Sequence, residues 1–204
     1  TFLEAVLPPE GPYCIFAARA SDERRVQKFY TTLDIVVDAA NGFNGDGFDV
    51  YFALASLVEA KNRKVDNVSH LGSLFLDLDC GPMKEYATQA EAFTSLKNFC
   101  KTLKLPKPLI INSGRGVHVY WPLSEPVALV EWLPIAERLK FMCKKHGLKA
   151  DPAVTSDAAR VLRVVNTHNY KTDPPTLVEP FHEQVITKVG FDTFSELLGD
   201  RKST

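Results

Sequence analysis

The chain has 204 residues, 45% of them hydrophobic and 24% charged, with 13 Pro and 11 Gly; these are ordinary globular values, and the length can bury a core without disulfides or a structural metal. A net charge of −1 argues against a histone-like protein that coats nucleic acid over its whole surface, yet leaves room for a local basic groove, because patches matter more than totals. The four cysteines (Cys14, Cys80, Cys100, Cys143) contain no C-x-x-C pair, so no zinc finger or ribbon, and no zinc, is expected.

In chain order, "PYCIFAA" (Pro12 to Ala18) reads as a strand. Residues 21–39 read as a helix, with Val26, Phe29, Tyr30 and Leu33 at helical spacing behind Ser21 and Asp22 as caps. "NGFNGDG" (Asn41 to Gly47) is a turn cluster, and "FDVYFALASLV" after it is a strand. The polar stretch to Ser69 holds Lys61, Arg63 and Lys64. A strand with Asp77 and Asp79 follows, then a helix from about Lys84 to Leu103. "PLIINSG" and "VHVYW" are strands joined by a Gly-containing turn. A second long helix starts near Pro134 and ends at Gly147. The tail from Thr172 is Pro-rich, with a last short helix at Phe191 to Leu198. Strands grouped between well-separated helices make this an α+β domain. Cys100 and Cys143 fall on apolar helix positions and read as reduced core thiols, which suits a cytoplasmic protein. Neither a signal peptide nor a membrane-spanning apolar run is visible, so no membrane partner is expected. The chain opens on Thr and ends in "GDRKST", as a piece of a longer protein would.

The stretch "SLFLDLDCG" (Ser73 to Gly81) carries two aspartates inside an apolar run. Side chains alternate along a strand, so Asp77 and Asp79 share one face while Leu74, Leu76 and Leu78 pack on the other. Two neighbouring carboxylates in a desolvated place ask for a cation, and Mg²⁺ binds through one or two carboxylates plus substrate phosphate. Taken alone, D-h-D is as well explained by strand-end acids facing solvent. In "NSGRGVHVYW" (Asn112 to Trp121), a Ser-Gly-Arg-Gly turn offers backbone N–H groups, a hydroxyl and a guanidinium to phosphate oxygens. His118 follows with Tyr120 on its face; a lone strand histidine is more often a core residue. In "LKADPAVTSDAARVLRVVNTHNYK" (Leu148 to Lys171), Asp151, Asp157, Arg160, Arg163 and Lys171 gather in a short segment. Helix capping is the plain alternative for Asp157, and a solvated face for the arginines.

Together these segments spell h-h-D-h-D, then S-G-x-G-x-H, then an acid followed by R-V-L-R-x-x-x-T-x-N-x-K. The ordered trio, from Val68 to Lys171, resembles the archaeo-eukaryotic primase superfamily, in particular the primase-polymerase domains of phages and plasmids. One departure is visible: similar proteins usually read P-G-T-x-N where this chain has Val165-Asn166-Thr167-His168-Asn169. The resemblance implies a core of two αβ units, one RRM-like, around a single cleft. It divides the chain into an N-terminal unit of residues 1–65 that helps line the template path, a metal- and nucleotide-binding unit of residues 66–180, and a tail of residues 181–204. It implies two Mg²⁺ or Mn²⁺ ions held by Asp77, Asp79 and a third acid, Asp151, with Asp157 as rival. Ser113, Arg115, Gly116, His118, Arg160, Arg163, Asn169 and Lys171 become the nucleotide site. The activity implied is template-directed nucleotidyl transfer from nucleoside triphosphates, making or extending short primers on single-stranded DNA. That places the protein in DNA replication of a phage, plasmid or other mobile element in a bacterial or archaeal host, beside a helicase or accessory domain. The competing readings are a metal-dependent nuclease, which has less need of a triphosphate site, and a non-catalytic DNA-binding initiator domain, in which clustered acids would repel the phosphate backbone.

Overall fold

The computed structural model describes residues 1–199. A capping box, in which the Thr1 hydroxyl accepts the Glu4 N–H and the Glu4 carboxylate turns back to the Thr1 amino group, starts the short helix α1 (Phe2–Val6). Next comes a hairpin, β1 (Tyr13–Arg19) and β2 (Arg24–Tyr30), in register from Tyr13–Tyr30 to Arg19–Arg24. The helix expected over residues 21–39 is therefore wrong in its first half. Asp22 does not cap a helix: its carboxylate accepts from Arg19 Nε and Nη2 at 3.0 and 2.7 Å, and Oδ1 from the Arg24 N–H, while Glu23 turns the chain at φ 56°. Val26, Phe29 and Tyr30 at helical spacing lie instead on an edge strand.

Helix α2 (Leu33–Gly45) then runs through most of the expected turn cluster, and the chain reverses only at Asp46 and Gly47, the latter at φ 82°. Two strands, β3 (Asp49–Ala53) and β4 (Ala55–Leu57), replace the single one expected. After a 3₁₀ turn (Val65–Asn67) comes the long β5 (Val68–Asp79). Helix α3 (Gln89–Leu103) starts later than Lys84, where the Thr88 hydroxyl accepts the Glu91 N–H. The strands β6 (Leu109–Asn112) and β7 (Gly116–Ala128) lead into α4 (Leu129–Lys145). Pro134 lies inside α4 rather than opening it. The turn before it is held by buried Trp132, whose Nε1 donates to the Ser73 carbonyl at 2.9 Å. The remaining elements are α5 (Pro152–Thr155), β8 (Val161–Arg163), β9 (His168–Asn169), β10 (Thr176–Leu177), β11 (Glu179–Pro180) and α6 (Phe191–Leu197).

These strands build two antiparallel sheets, β2-β1-β3-β8 and β11-β6-β7-β5-β4, plus the ribbon β10-β9. Strand β8 lies late in the chain yet completes the first sheet, pairing Leu162 with Phe52 and Arg163 with Tyr51. The second sheet has two different faces. Ala92, Leu96 and Phe99 of α3, together with Phe194 of α6 at 5.3 Å from the Trp121 ring, cover the face of Leu74, Leu76 and Leu78. The opposite face looks toward the first sheet, where Phe52 stacks on Tyr120 at 6.5 Å and Phe2 wedges edge-on against both at 5.7 and 5.3 Å. Full burial of each such side chain contributes about 1.5–3 kcal/mol. Between these packed rings and the end of β5, the same face turns polar, and the motif residues stand there.

Candidate active site

Strands β5 and β7 pair Asp77 with His118 and Asp79 with Gly116. That register puts both aspartates and the histidine on the face that looks toward the first sheet. A Cβ on residue 116 would come within 2.6 Å of the Leu78 carbonyl, so only glycine lets β7 approach β5 this closely beside Asp79. Burial first, and then the charges of Asp79 and Asp151, push the Asp77 carboxyl up to about 7, while Lys84 and Arg163 oppose the rise. His118 is held in the opposite sense. Burial and the neighbouring Arg163 push it down to about 3, so its ring is neutral at physiological pH. Nε2 faces Asp77 Oδ1 at 3.9 Å, beyond hydrogen-bond reach, and Nδ1 is buried without a partner among the described residues.

Asp151 reaches the pair through its backbone. Its N–H donates to the Asp77 carbonyl at 2.8 Å, and its carboxylate caps α5 by accepting the Ala153 N–H at 2.8 Å. Asp157 sits elsewhere, accepting the Ala159 N–H at 2.9 Å and pairing with Arg160 Nε at 3.0 Å. Arg160 also donates to the Ala153 carbonyl, and neither it nor Asp157 lines the cleft that holds Asp77 and Asp79. Asp151 is thus tied to Asp77 by a backbone bond and its charge acts on that carboxyl, but it borders the hollow on the other side of Asp79 and not this cleft, while Asp157 and Arg160 pair with each other.

The Ser-Gly-Arg-Gly turn closes the β6–β7 hairpin. The Ser113 hydroxyl accepts the Gly116 N–H at 3.1 Å, and Gly114 turns at φ 91°. Asn169, almost fully buried, donates from Nδ2 to the Ser113 carbonyl at 2.7 Å and accepts the Lys171 N–H at 3.0 Å. Its amide is committed to holding this turn against residue 171. Arg115 donates to the Lys171 carbonyl across the same gap. At the departure over residues 165–169, Asn166 stands where glycine is usual and adopts φ 68°, a left-handed backbone that asparagine tolerates. Thr167 stays buried, with its hydroxyl on the Val164 carbonyl at 2.7 Å.

Three residues missed by sequence reasoning complete the site. Asp49, buried, accepts from Arg163 Nη1 at 2.5 Å and from the Tyr170 N–H at 3.0 Å. Tyr51 lies beneath two cations, with the Arg163 guanidinium carbon 4.7 Å and Lys171 Nζ 6.0 Å from its ring centre. Lys84 Nζ bonds Asp79 Oδ2 at 2.9 Å. Asp49 had a sequence signal, an acid set within the apolar strand "FDVYFA". Arg163, Lys171, Arg115, Ser113 and His118 line, with the two aspartates, a cleft of about 280 Å³. A second hollow of about 820 Å³ opens on the other side of Asp79, bounded by Asp151, Phe141 and Lys149. Arg63 points inward to the Ala159 carbonyl and Lys61 pairs with Glu59, so the Lys61, Arg63 and Lys64 group is not a free basic patch.

Among the described residues, no three His, Cys, Asp or Glu side chains are drawn into a ready-made metal cage. The donor set nevertheless fits Mg²⁺ or Mn²⁺: one strand presents two carboxylates, a third acid raises their charge density, and an open cleft rich in cations adjoins them. Hard cations of this kind usually take part of their coordination from water and substrate phosphate.

Comparison with solved structures identifies the architecture. The catalytic domain of the cyanophage S-2L primase-polymerase superposes with a TM-score of 0.67 at 15% identity, covering 92% of this chain and 89% of that one. The fold is that of a primase-polymerase catalytic domain. The catalytic domain of primase RepB′, solved in complex with initiator DNA, shares this fold at a TM-score of 0.61 and 16% identity, covering 97% of this chain and 87% of that one. The polymerase domain of Mycobacterium tuberculosis ligase D, also in complex with DNA, matches at 0.54 and 14% identity, covering 94% and 81%. At the sequence level, 113 residues, 54% of this chain, are 32% identical to a replication protein of Clostridium perfringens and span 27% of that protein. No protein-family profile matches the chain. No helix among the described residues is long and apolar enough to cross a membrane.

Proposed function

We propose that the chain is a DNA-directed nucleotidyltransferase domain that makes or extends short primers from nucleoside triphosphates during replication of a phage, plasmid or other mobile element in a bacterial or archaeal cytoplasm. One observation carries the reading: in a primase-polymerase fold, Asp77 and Asp79 lie with Asp151 pinned beside them and open onto a cleft lined by Ser113, Arg115, His118, Arg163 and Lys171. The carboxylates of Asp77, Asp79 and Asp151 would hold two Mg²⁺ or Mn²⁺ ions. When bound, these supply charge neutralisation and alignment for in-line attack by a 3′-hydroxyl. Everything else belongs to side chains of this chain. Arg163, immobilised by Asp49, gives a fixed positive charge to the triphosphate, and Lys171 and Arg115 add two more adaptable ones. His118, held neutral, serves as a hydrogen-bond donor to a phosphate oxygen and not as a counter-charge. Ser113 presents its turn to the same group, and Asn169 keeps that turn in place. Asp157 and Arg160 sit at the margin of the site. Residues 1–65 flank the template path, residues 66–180 carry the chemistry, and a helicase or accessory domain works beside them.

The test is to incubate the protein with single-stranded DNA, Mn²⁺, a γ-labelled purine triphosphate and the other nucleotides. Short products that retain the γ-label support initiation, and extension of a supplied primer supports polymerisation alone. A shortened template without synthesis would overturn the reading in favour of a nuclease.

A further inference from the structure

Lys84 stands where the acid pair wants a cation. It lies on the connection between β5 and α3, in which Gly81 and Met83 adopt left-handed backbone at φ 126° and 60°, and Met83 is fully exposed. That bend brings Lys84 Nζ to Asp79 Oδ2 at 2.9 Å. The two side chains are 52% and 48% exposed, so water and salt compete for this bond. Lys84 also borders two hollows. One is the cleft with Asp77, Asp79 and Arg163; the other, about 430 Å³, is lined by Thr88, Gln89, Gly114 and Arg115 and by no carboxylate. A lysine on a four-carbon stem can serve either side by rotating its chain, because its ammonium is a point charge without a fixed donor plane.

We infer that Lys84 is an exchangeable counter-cation. It neutralises Asp79 while no divalent ion is bound, yields the carboxylate when one arrives, and turns toward Arg115 to take a phosphate oxygen of the incoming triphosphate. The geometry favours exchange over permanent pairing. A divalent ion at Asp79 and an ammonium 2.9 Å from its Oδ2 repel each other, and the carboxylate-free hollow gives the ammonium somewhere to go. This inference rests on the metal and nucleotide reading given above, and its test separates the two.

Mn²⁺ binding is read from the free-ion electron paramagnetic resonance signal, without nucleotide, for the wild type and Lys84→Met. A triphosphate analogue is then titrated calorimetrically into each protein at saturating Mn²⁺. Lys84→Met should bind Mn²⁺ about 2- to 5-fold more tightly and the triphosphate about 2- to 5-fold more weakly, the scale of a partly exposed charge pair. Two shifts of opposite sign are not produced by simple structural damage. Lys149→Met serves as control: its ammonium lies 3.7 Å from Glu85 and borders the larger hollow, so it should change neither value. Equal Mn²⁺ affinities in wild type and Lys84→Met overturn the role of Lys84, as does an equal gain in Lys149→Met. An unchanged triphosphate affinity removes the phosphate half of it. A wild type that leaves the Mn²⁺ signal untouched overturns the metal assignment itself.

Discussion

The Asp49–Arg163 and Asp79–Lys84 pairs border the same cleft and are built in opposite ways. In the first, both side chains are nearly inaccessible, at 3% and 8% exposure, and Asp49 also receives the Tyr170 N–H while the guanidinium lies over Tyr51. In the second, both are half exposed and Lys84 sits on a loop. A buried pair cannot be opened without stranding a charge, whereas an exposed one trades partners with water at little cost. The cleft therefore has one positive charge locked in a buried ion pair and another held only by an exposed one. Fixed charge serves preorganisation, and movable charge serves exchange.

The contrast can be broken from its strong side first. Asp49→Ala should destabilise the protein by about 3–5 kcal/mol in urea unfolding, because Arg163 would be left buried and unpaired. A loss under 1 kcal/mol would mean that water reaches the guanidinium. Asp77→Asn and Asp79→Asn should each abolish primer synthesis in the assay above without unfolding the protein. Asp77 adds a pH signature. Its carboxyl is raised from 3.8 to about 7, so the folded state binds more protons than the unfolded one between these values. Metal-free protein should thus lose stability as pH rises from about 4 to about 7, and Asp77→Asn should flatten that decline. A thermal-melt series across this range that falls equally in both proteins would show that Asp77 is not its source.

Among the remaining acids, Asp151→Asn should reduce synthesis far more than Asp157→Asn, and the reverse ranking would move the third ligand to Asp157. His118→Ala should raise KM for nucleotide more than it lowers kcat. Because His118 is held neutral, the wild-type rate should show no histidine step near pH 6.5 that disappears in His118→Ala. The smallest change belongs to the exposed pair: Lys84→Met should leave the urea midpoint within error of wild type. A large shift would make this bond a structural one and erase the difference from Asp49–Arg163.

What could be read in the sequence was local. The alternation of Ser73 to Asp79, the glycines of the Ser113–Gly116 turn and the apolar face of α3 each announce themselves over a few residues, and the structure keeps all three. What could not be read depends on partners far along the chain. Strand β2 carries its apolar residues at spacings of three and four, which suits a helix, and only its pairing with β1 makes it a strand. Asp49 and Arg163 meet across more than a hundred residues of chain, so neither residue signals the other. The sequence favours Asp151 over Asp157 as the third acid; in the fold the N–H of Asp151 bonds the Asp77 carbonyl and Asp157 pairs with Arg160, contacts that no local pattern signals. The unusual Asn166 looked like a break in the pattern; it takes a left-handed backbone that glycine also adopts readily, which the sequence alone did not signal.

Strand β8 has a further consequence, for how such a chain can be cut and recombined. Separating residues 1–65 from 66–180 would strip β3 of its partner at Val161–Arg163 and leave Asp49 buried without its guanidinium. The severed halves would each present a bare strand edge, the surface from which aggregation starts. A gene-fusion or truncation breakpoint is therefore not tolerable between the two sheets. The two sheets of this unit must be inherited together.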